Sequence, residues 1–226
     1  MDVGASDSIG ATIKPEQEYS DVGSISTITS FPVGSHPHRN VDVIVLGAPP
    51  HVHTAIVCPP CIYGEGTGPG NRNSAQVPLL IQRTLKRGKG FTVAGGNNQW
   101  NNVHVLDLAQ VFLKLTEAAA ERAGSGADWD QDGYYFTENG AQLWGDVARE
   151  IAKRAKALGY LSTDQVDDLS VDKVLELHPF GHILWGSNSK GKAERARNRL
   201  GWVPKEPALE DTLDAAIEKE AKAMGL

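Results

Sequence analysis

Cysteine is scarce in this chain, and so is methionine: two of each among 226 residues. Two cysteines cannot form a disulfide scaffold. The first residues also lack the basic and apolar regions of a secretory signal. The expected address is therefore a reducing cytoplasm. No run of eighteen apolar residues occurs, so no membrane span is expected. Positive charge is not in excess: 22 Lys and Arg stand against 28 Asp and Glu, a net charge of −6. A duplex-DNA binder needs a basic face to neutralise phosphates, so no nucleic-acid partner is expected. Two motifs are missing as well. No G-x-G-x-x-G turn follows any apolar run, and no tyrosine precedes a lysine by four residues. The first motif would cradle a dinucleotide. The second would set a phenol and an ammonium on one helix face.

What remains reads as globular, with 40% apolar and 22% charged residues. The length allows one domain, or one and a half. Residues 1–36 are rich in Gly, Ser and Asp and do not look like a self-contained opening. The apolar run within 40–48 suits a helix or a buried strand equally. Residues 54–58 are β-branched and stopped by Pro59 and Pro60, which predicts a strand; a glycine-rich loop, 64–70, follows. Helical spacing over 74–87 uses Val77, Leu80, Ile81 and Leu85, with Pro78 in an early turn and Gly88 as the stop. A strand is predicted at 91–94, and a helix at 106–122 with Leu108, Val111, Phe112 and Leu115 inward. Tyr134–Phe136 reads as a strand, and 141–158 as a second long helix with Leu143, Val147, Ile151 and Leu158 inward. Further helices are expected at Val171–Leu177, 190–200 and 209–224. This alternation points to an α/β fold with a helical end.

Three local constellations suggest chemistry. Cys58-Pro-Pro-Cys61 has the form of a redox C-x-x-C motif, but no helix follows to lower the first thiol's pKa. A bend between strand and loop is the plainer reading. His51, His53, Cys58 and Cys61 have the right residue types for zinc, although an apolar strand separates the pairs. A surface loop carrying the histidines is the alternative, and no metal is assigned. From Gly186 to Lys192 the chain nearly spells a P-loop after the apolar run Ile183, Leu184, Trp185. Ala193, however, replaces the hydroxyl residue that would hold Mg²⁺.

Three stretches, in order, carry a resemblance. The first is T-A-I-V-C-P-P-C-I-Y-G-E-G, from Thr54 to Gly66. The second is W-N-N-V-H-V-L-D-L-A, from Trp100 to Ala109. The third is N-S-K-G-K-A-E-R-A-R-N-R-L-G-W-V-P-K, from Asn188 to Lys205. Together they resemble the extended short-chain dehydrogenase/reductases of the NAD-dependent epimerase/dehydratase family. The run from His36 to Asp42 is similar to an atypical fungal branch of it. The resemblance runs from about residue 4 to the end.

It implies a partial, Rossmann-like parallel sheet over residues 1–140 and a mainly helical substrate side over 141–226. It also implies that the family's opening half, which binds the cofactor pyrophosphate, lies outside this chain. The cofactor implied is NAD or NADP, expected not to bind tightly to this chain alone. The family's Tyr-x-x-x-Lys pair falls near 35–42. There His36 or His38 would act as general acid and Arg39 as fixed positive charge; the alternative is that they are helix-start residues of a non-catalytic relative. The backbone at Pro59, Pro60, Cys61 and Ile62 would line the nicotinamide end. Trp100, Asn101 and Asn102 would lie on the substrate side, where the family's diphosphate-gripping arginine is missing. A small carbonyl or alcohol substrate is expected in place of a nucleotide-sugar. His104 and Asp107 are expected to cap the helix after them, and Trp202 and Pro204 to dock the tail. A sheet without its first strands would expose an apolar edge, predicting a homo-oligomer or a partner that completes the sheet. The rival readings are an inactive binding or interaction module, and a zinc or thiol protein built on His51, His53, Cys58 and Cys61.

Overall fold

The structure is a computed structural model and describes residues 9–12, 14, 17–34, 36, 38–121 and 126–226. The chain is an α/β protein whose strand pairs are mostly parallel. Strand β1 (Glu18–Ser20) leads into the short helices α1 (Ile25–Ser30) and α2 (Arg39–Leu46). Strands β2 (Ile56–Cys58) and β3 (Cys61–Tyr63) precede α3 (Gln76–Arg87). Next come β4 (Gly90–Val93), β5 (Gln99–His104), α4 (Val105–Ala120), β6 (Tyr134–Phe136), β7 (Ala141–Leu143) and α5 (Trp144–Ala157). The end holds β8 (Val166–Leu169), α6 (Val171–Leu177), α7 (Gly181–Gly186), β9 (Lys190–Lys192), α8 (Glu194–Leu200) and α9 (Leu213–Ala223), the last preceded by a 3-10 turn over Leu209–Thr212. Among the described residues no helix is long and apolar enough to cross a membrane.

Parallel pairs join β1 to β9, β2 to β6, β3 to β5 and β4 to β8, and β7 adds to β5 antiparallel. Each parallel partner lies far along the chain, as parallel pairing requires a crossover. Strand β6 is buried at all three residues, which suits a strand covered on both faces. Among the described residues strand β2 pairs in a sheet with β6 alone.

The helices form for the reasons their sequences give. Helix α3 buries Val77, Leu80, Ile81, Thr84 and Leu85, one stripe at helical spacing. Pro78 sits in its first turn, where a missing N–H costs little, and Gly88 closes it with φ 73°. Helix α5 buries Val147, Ala148, Ile151, Ala152 and Ala155 against β4 and α9. Full burial of a side chain such as Ile151 contributes about 1.5–3 kcal/mol. One apolar cluster joins α3, α5 and α9 around Phe91, Trp144 and Trp185. A second joins β5, β6, α4 and α8 around Tyr135, Phe136 and Trp202.

Three sequence expectations need correction. The helix expected over 141–158 starts at Trp144, because residues 141–143 pair with Asn101, Trp100 and Gln99 as a strand. The buried Gln142 accepts from Asn102 Nδ2 at 2.6 Å, a tie that holds this segment extended. The helix expected over 190–200 is β9 followed by α8: Glu18 meets both Lys190 and Lys192 across the β1–β9 pair. Phe112 is 53% exposed, since Leu108, Val111 and Leu115 fill the inward stripe and it falls at their margin. The ambiguous run at 40–48 is the helix α2.

The P-loop-like segment is no phosphate cradle. Its apolar run lies in α7, not in a strand, and the Gly191 N–H is spent on Asn101 Oδ1 at 2.6 Å.

Candidate functional site

Pro59 and Pro60 end β2 because proline cannot donate to a sheet ladder. The chain then turns into β3, whose alternation sends Cys61 and Tyr63 inward and leaves Ile62 half-buried. Cys61 is fully buried, and burial pushes its thiol up to about 12. Such a thiol is not ionised at neutral pH, so the redox reading of the C-x-x-C pair has no nucleophile at this position. Neither cysteine is in a disulfide. The zinc reading fails on placement. Cys61 faces the core, while His53 is exposed and pairs with Asp130 at 2.9 Å. Among the described residues no group of three or more His, Cys, Asp or Glu could hold a metal ion.

After β3 the backbone passes Gly64 at φ +82°. A Cβ built there would overlap the imidazole of His104, so the glycine is required both by conformation and by space. His104 is the N-cap of α4, and its Nδ1 accepts from the Leu106 N–H at 3.2 Å. With Nδ1 accepting, the neutral ring carries its proton on Nε2. That N–H faces Gly64.

Two adjoining clefts open at this point. One, of about 370 Å³, is bordered by Pro60, Ile62, Gly64, Arg72 and the start of α3. The other, of about 320 Å³, lies between the glycine loop and α9, with His104, Pro78, Pro207, Asp211 and Lys219 on its walls. Gly64, Asn73 and Ser74 border both, so the two form one groove. Arg72 fixes the loop by donating from Nε to the Gly66 carbonyl at 2.6 Å. Glu65 joins Arg72 at 3.5 Å and Lys219 of α9 at 3.2 Å.

The far wall is placed by the tail. Asp107, buried in the first turn of α4, accepts the backbone N–H of Lys205 at 2.8 Å and of Glu206 at 3.2 Å. Trp202 Nε1 donates to the Asp107 carbonyl at 2.9 Å, and Tyr63 Oη donates to the Pro207 carbonyl at 2.8 Å. Tyr63 is pushed up to about 12, by burial first and then by the negative charges of Asp107, Glu210 and Asp211. It is held as a neutral phenol, a strut and not a base. His104 caps α4 as the sequence suggested. Asp107 instead holds the tail, a role its position in the helix start did not reveal.

The residues singled out from the sequence divide sharply. Of Pro59, Pro60, Cys61 and Ile62, Pro60 and Ile62 border the groove and Cys61 turns into the core. Trp100, Asn101 and Asn102 do not border it. They tie segments together: Trp100 donates to Ser187 O, Asn101 to Gly140 O, and Asn102 to the Gln142 side-chain oxygen. His36, His38 and Arg39 do not border it either. The His36 ring stacks on Phe31 at 4.3 Å. His38 takes φ 69° at the N-cap of α2. Arg39 is buried and donates to Thr29 O, Phe31 O and Asp42. Its charge is matched by Asp42, which also accepts from Tyr134 Oη at 3.2 Å. Burial above all raises the Tyr134 hydroxyl, and the neighbouring Cys58 and Asp42 add to it. Residues that sequence reasoning did not reach are Asn73, Ser74, Pro78, Pro207, Asp211 and Lys219. Only the polar Asn73-Ser74 pair ahead of a periodic helix offered a signal.

No family model matches the chain. It is similar to Oxidase ucsJ from an Acremonium species, 33% identical over 184 residues. That match covers 79% of this chain and 53% of the relative, so the chain spans about half the length of the curated relative it matches. Among solved structures it is similar to a UDP-glucose 4-epimerase from Thermotoga maritima. The TM-score is 0.57 at 15% identity, covering 99% of this chain and 62% of that one. It is also similar to a dTDP-glucose 4,6-dehydratase from Bacillus anthracis, at TM-score 0.52 and 18% identity, covering 82% and 50%. These neighbours are enzymes of the NAD-dependent epimerase/dehydratase type, and the chain shares their Rossmann-like α/β fold.

Proposed function

We propose that the chain forms the nicotinamide-facing and substrate-facing part of an NAD(P)-dependent oxidoreductase or epimerase-like protein acting on a small carbonyl or alcohol. One observation carries this reading. Pro60 and Ile62, at the end of the strand expected to face the nicotinamide, border a groove that runs past Gly64 and Ser74 to the His104 imidazole. The dehydratase neighbour was solved in complex with NAD, which supports a nicotinamide cofactor by resemblance.

The residues present fit that cofactor only at its nicotinamide end. The sequence has no glycine turn for the pyrophosphate, and the one P-loop-like segment has spent the Gly191 N–H on Asn101. What the chain's own residues do is position. The His104 Nε2–H donates to a substrate oxygen, and the proline and alanine walls exclude water from it. The general acid expected at His36 or His38 lies outside this groove, which neither residue borders, and the Arg39 guanidinium is engaged with the Thr29 and Phe31 carbonyls. Among the described residues β2 pairs in a sheet with β6 alone, and Val41, Val43 and Ile44 of α2 are about half or more exposed, which favours a second reading. In it the chain is an interaction module whose sheet a second copy or a partner completes.

Nicotinamide mononucleotide, which lacks the adenylate half, tests the first reading. In amide NMR spectra it should shift Cys61, Ile62, Gly64 and Ser74. Shifts elsewhere, or none, would refute the reading.

A further inference from the structure

The cleft between the glycine loop and α9 has an unbalanced charge. Glu65, Asp211 and Glu220 line it, against Lys219 as its sole lysine or arginine. Lys219 is already paired with Glu65, and Arg72 approaches the same carboxylate from the neighbouring cleft. Glu220 is buried and accepts from Gln82 Nε2 at 2.7 Å. Asp211 lines the cleft, is exposed, and makes no ion pair or side-chain hydrogen bond among the described residues. A negative field at this place is also felt by Tyr63, whose hydroxyl is pushed up by burial and then by Asp107, Glu210 and Asp211.

The remainder of the wall is uncharged: the polar Asn73, Ser74 and Thr212, and the apolar Pro78, Pro207, Ala215 and Ala216. At the inner end sits His104, 7% exposed, with Nδ1 engaged and the Nε2–H facing Gly64. A cleft with uncharged walls, a buried imidazole at His104 and one carboxylate outside any ion pair selects by charge. An anion, above all a diphosphate, would meet carboxylates with no free cation to offset them, at the cost Coulomb's law sets in a partly dry site. A volume of about 320 Å³ suits a small ligand.

We propose that this cleft binds a cationic small molecule: an amine-bearing, otherwise apolar compound. Its ammonium pairs with Asp211, and its carbonyl or hydroxyl oxygen accepts from His104 Nε2–H. The inference rests on the reading of the groove as a substrate site, and narrows the substrate from any small carbonyl or alcohol to an amine-bearing one.

Three probes of one shape and different charge test it: benzylamine, benzyl alcohol and benzoate, titrated into the full chain at pH 7 with amide NMR as readout. Benzylamine should shift Gly64, Ser74 and Asp211, and bind about fivefold more tightly than benzyl alcohol, the scale of one partly exposed ion pair. Benzoate should not bind there. Asp211→Asn should bring benzylamine down to the alcohol's affinity and leave the alcohol unchanged. The variant keeps the side chain's shape at an exposed position, so folding is preserved. Benzoate binding as well as benzylamine would overturn the proposal. So would an unchanged preference in Asp211→Asn, or no shift in the cleft with any probe. The outcome is separate from that of nicotinamide mononucleotide: amine selectivity without nucleotide binding leaves this site standing and removes the cofactor reading.

Discussion

Replacing Asp107 with alanine should unfasten the wall of the groove. Its carboxylate accepts the backbone N–H groups of Lys205 and Glu206 from 98 and 99 residues further along the chain. Hydrogen bonds to a charged acceptor contribute about 1.5–3 kcal/mol each, and less where water can replace them, as at the exposed Lys205. The acid also lies in the first turn of α4, where it adds about 0.3–1 kcal/mol through the helix dipole. The loss should total about 3 kcal/mol. The Trp202 bond runs to the main-chain carbonyl of Asp107 and survives the substitution, so the loss isolates the carboxylate. Urea unfolding should show it as a fall in midpoint of about 1.5 M, for a slope of about 2 kcal/mol per molar. Asp107→Asn keeps one acceptor oxygen and should lose about half as much. Residues 203–208 of the alanine variant should also become the first site of limited proteolysis. A midpoint within about 0.3 M of the parent, or an asparagine variant as damaged as the alanine one, would refute this account of the tail.

Alkaline pH should destabilise the fold. Cys61 and Tyr63 are both raised to about 12. Each stays protonated when folded and ionises earlier when unfolded, so stability is whole below the unfolded values and is lost as pH rises toward 12. Each group contributes a limiting slope of about 1.4 kcal/mol per pH unit. Urea midpoints measured from pH 8 to 11 should fall, and Cys61→Ala should flatten the early part of that fall; a flat profile for the parent would contradict it. Thiol labelling at pH 7.5 should leave Cys61 unmodified until the protein unfolds, and labelling at the rate of a free thiol would contradict its burial. Gly64→Ala should cost about 1–2 kcal/mol from φ +82° alone, with more from displacing His104. Its His104 NMR signals should move, and unmoved signals would count against the contact. Arg39→Met should lower stability, because Asp42 is then left buried without its cation. An unchanged melting temperature would show that the Arg39–Asp42 pair does not hold the α1–α2 turn.

The fold was legible wherever one face is buried at a regular spacing. Helix α3 shows why: its apolar stripe, its early proline and its terminal glycine each state the same structure. Legibility failed at short strands held by distant partners. Residues 141–143 carry no periodic signal of their own, and Asn101 and Asn102 hold them extended from forty residues away. The short strand β9 depends in the same way on Glu18. The site was only partly legible. Pro60 and Ile62 follow from their place after a strand. Arg39 reads from sequence as a free cation, yet the Thr29 and Phe31 carbonyls accept from it and Asp42 offsets its charge. Asp211 and Lys219 meet Gly64 only because Asp107 and Tyr63 bind the tail across the fold, a contact no local pattern encodes.

The two adjoining clefts form one groove, with the proposed nicotinamide end at Pro60 and Ile62 and the proposed substrate end at His104 and Asp211. An interligand nuclear Overhauser measurement on the chain with nicotinamide mononucleotide and benzylamine together tests it most directly. The account predicts cross-peaks between nicotinamide ring protons and the benzylamine methylene, both lost in Gly64→Ala. Two ligands that bind together without any cross-peak, or that do not bind at this groove, would contradict it.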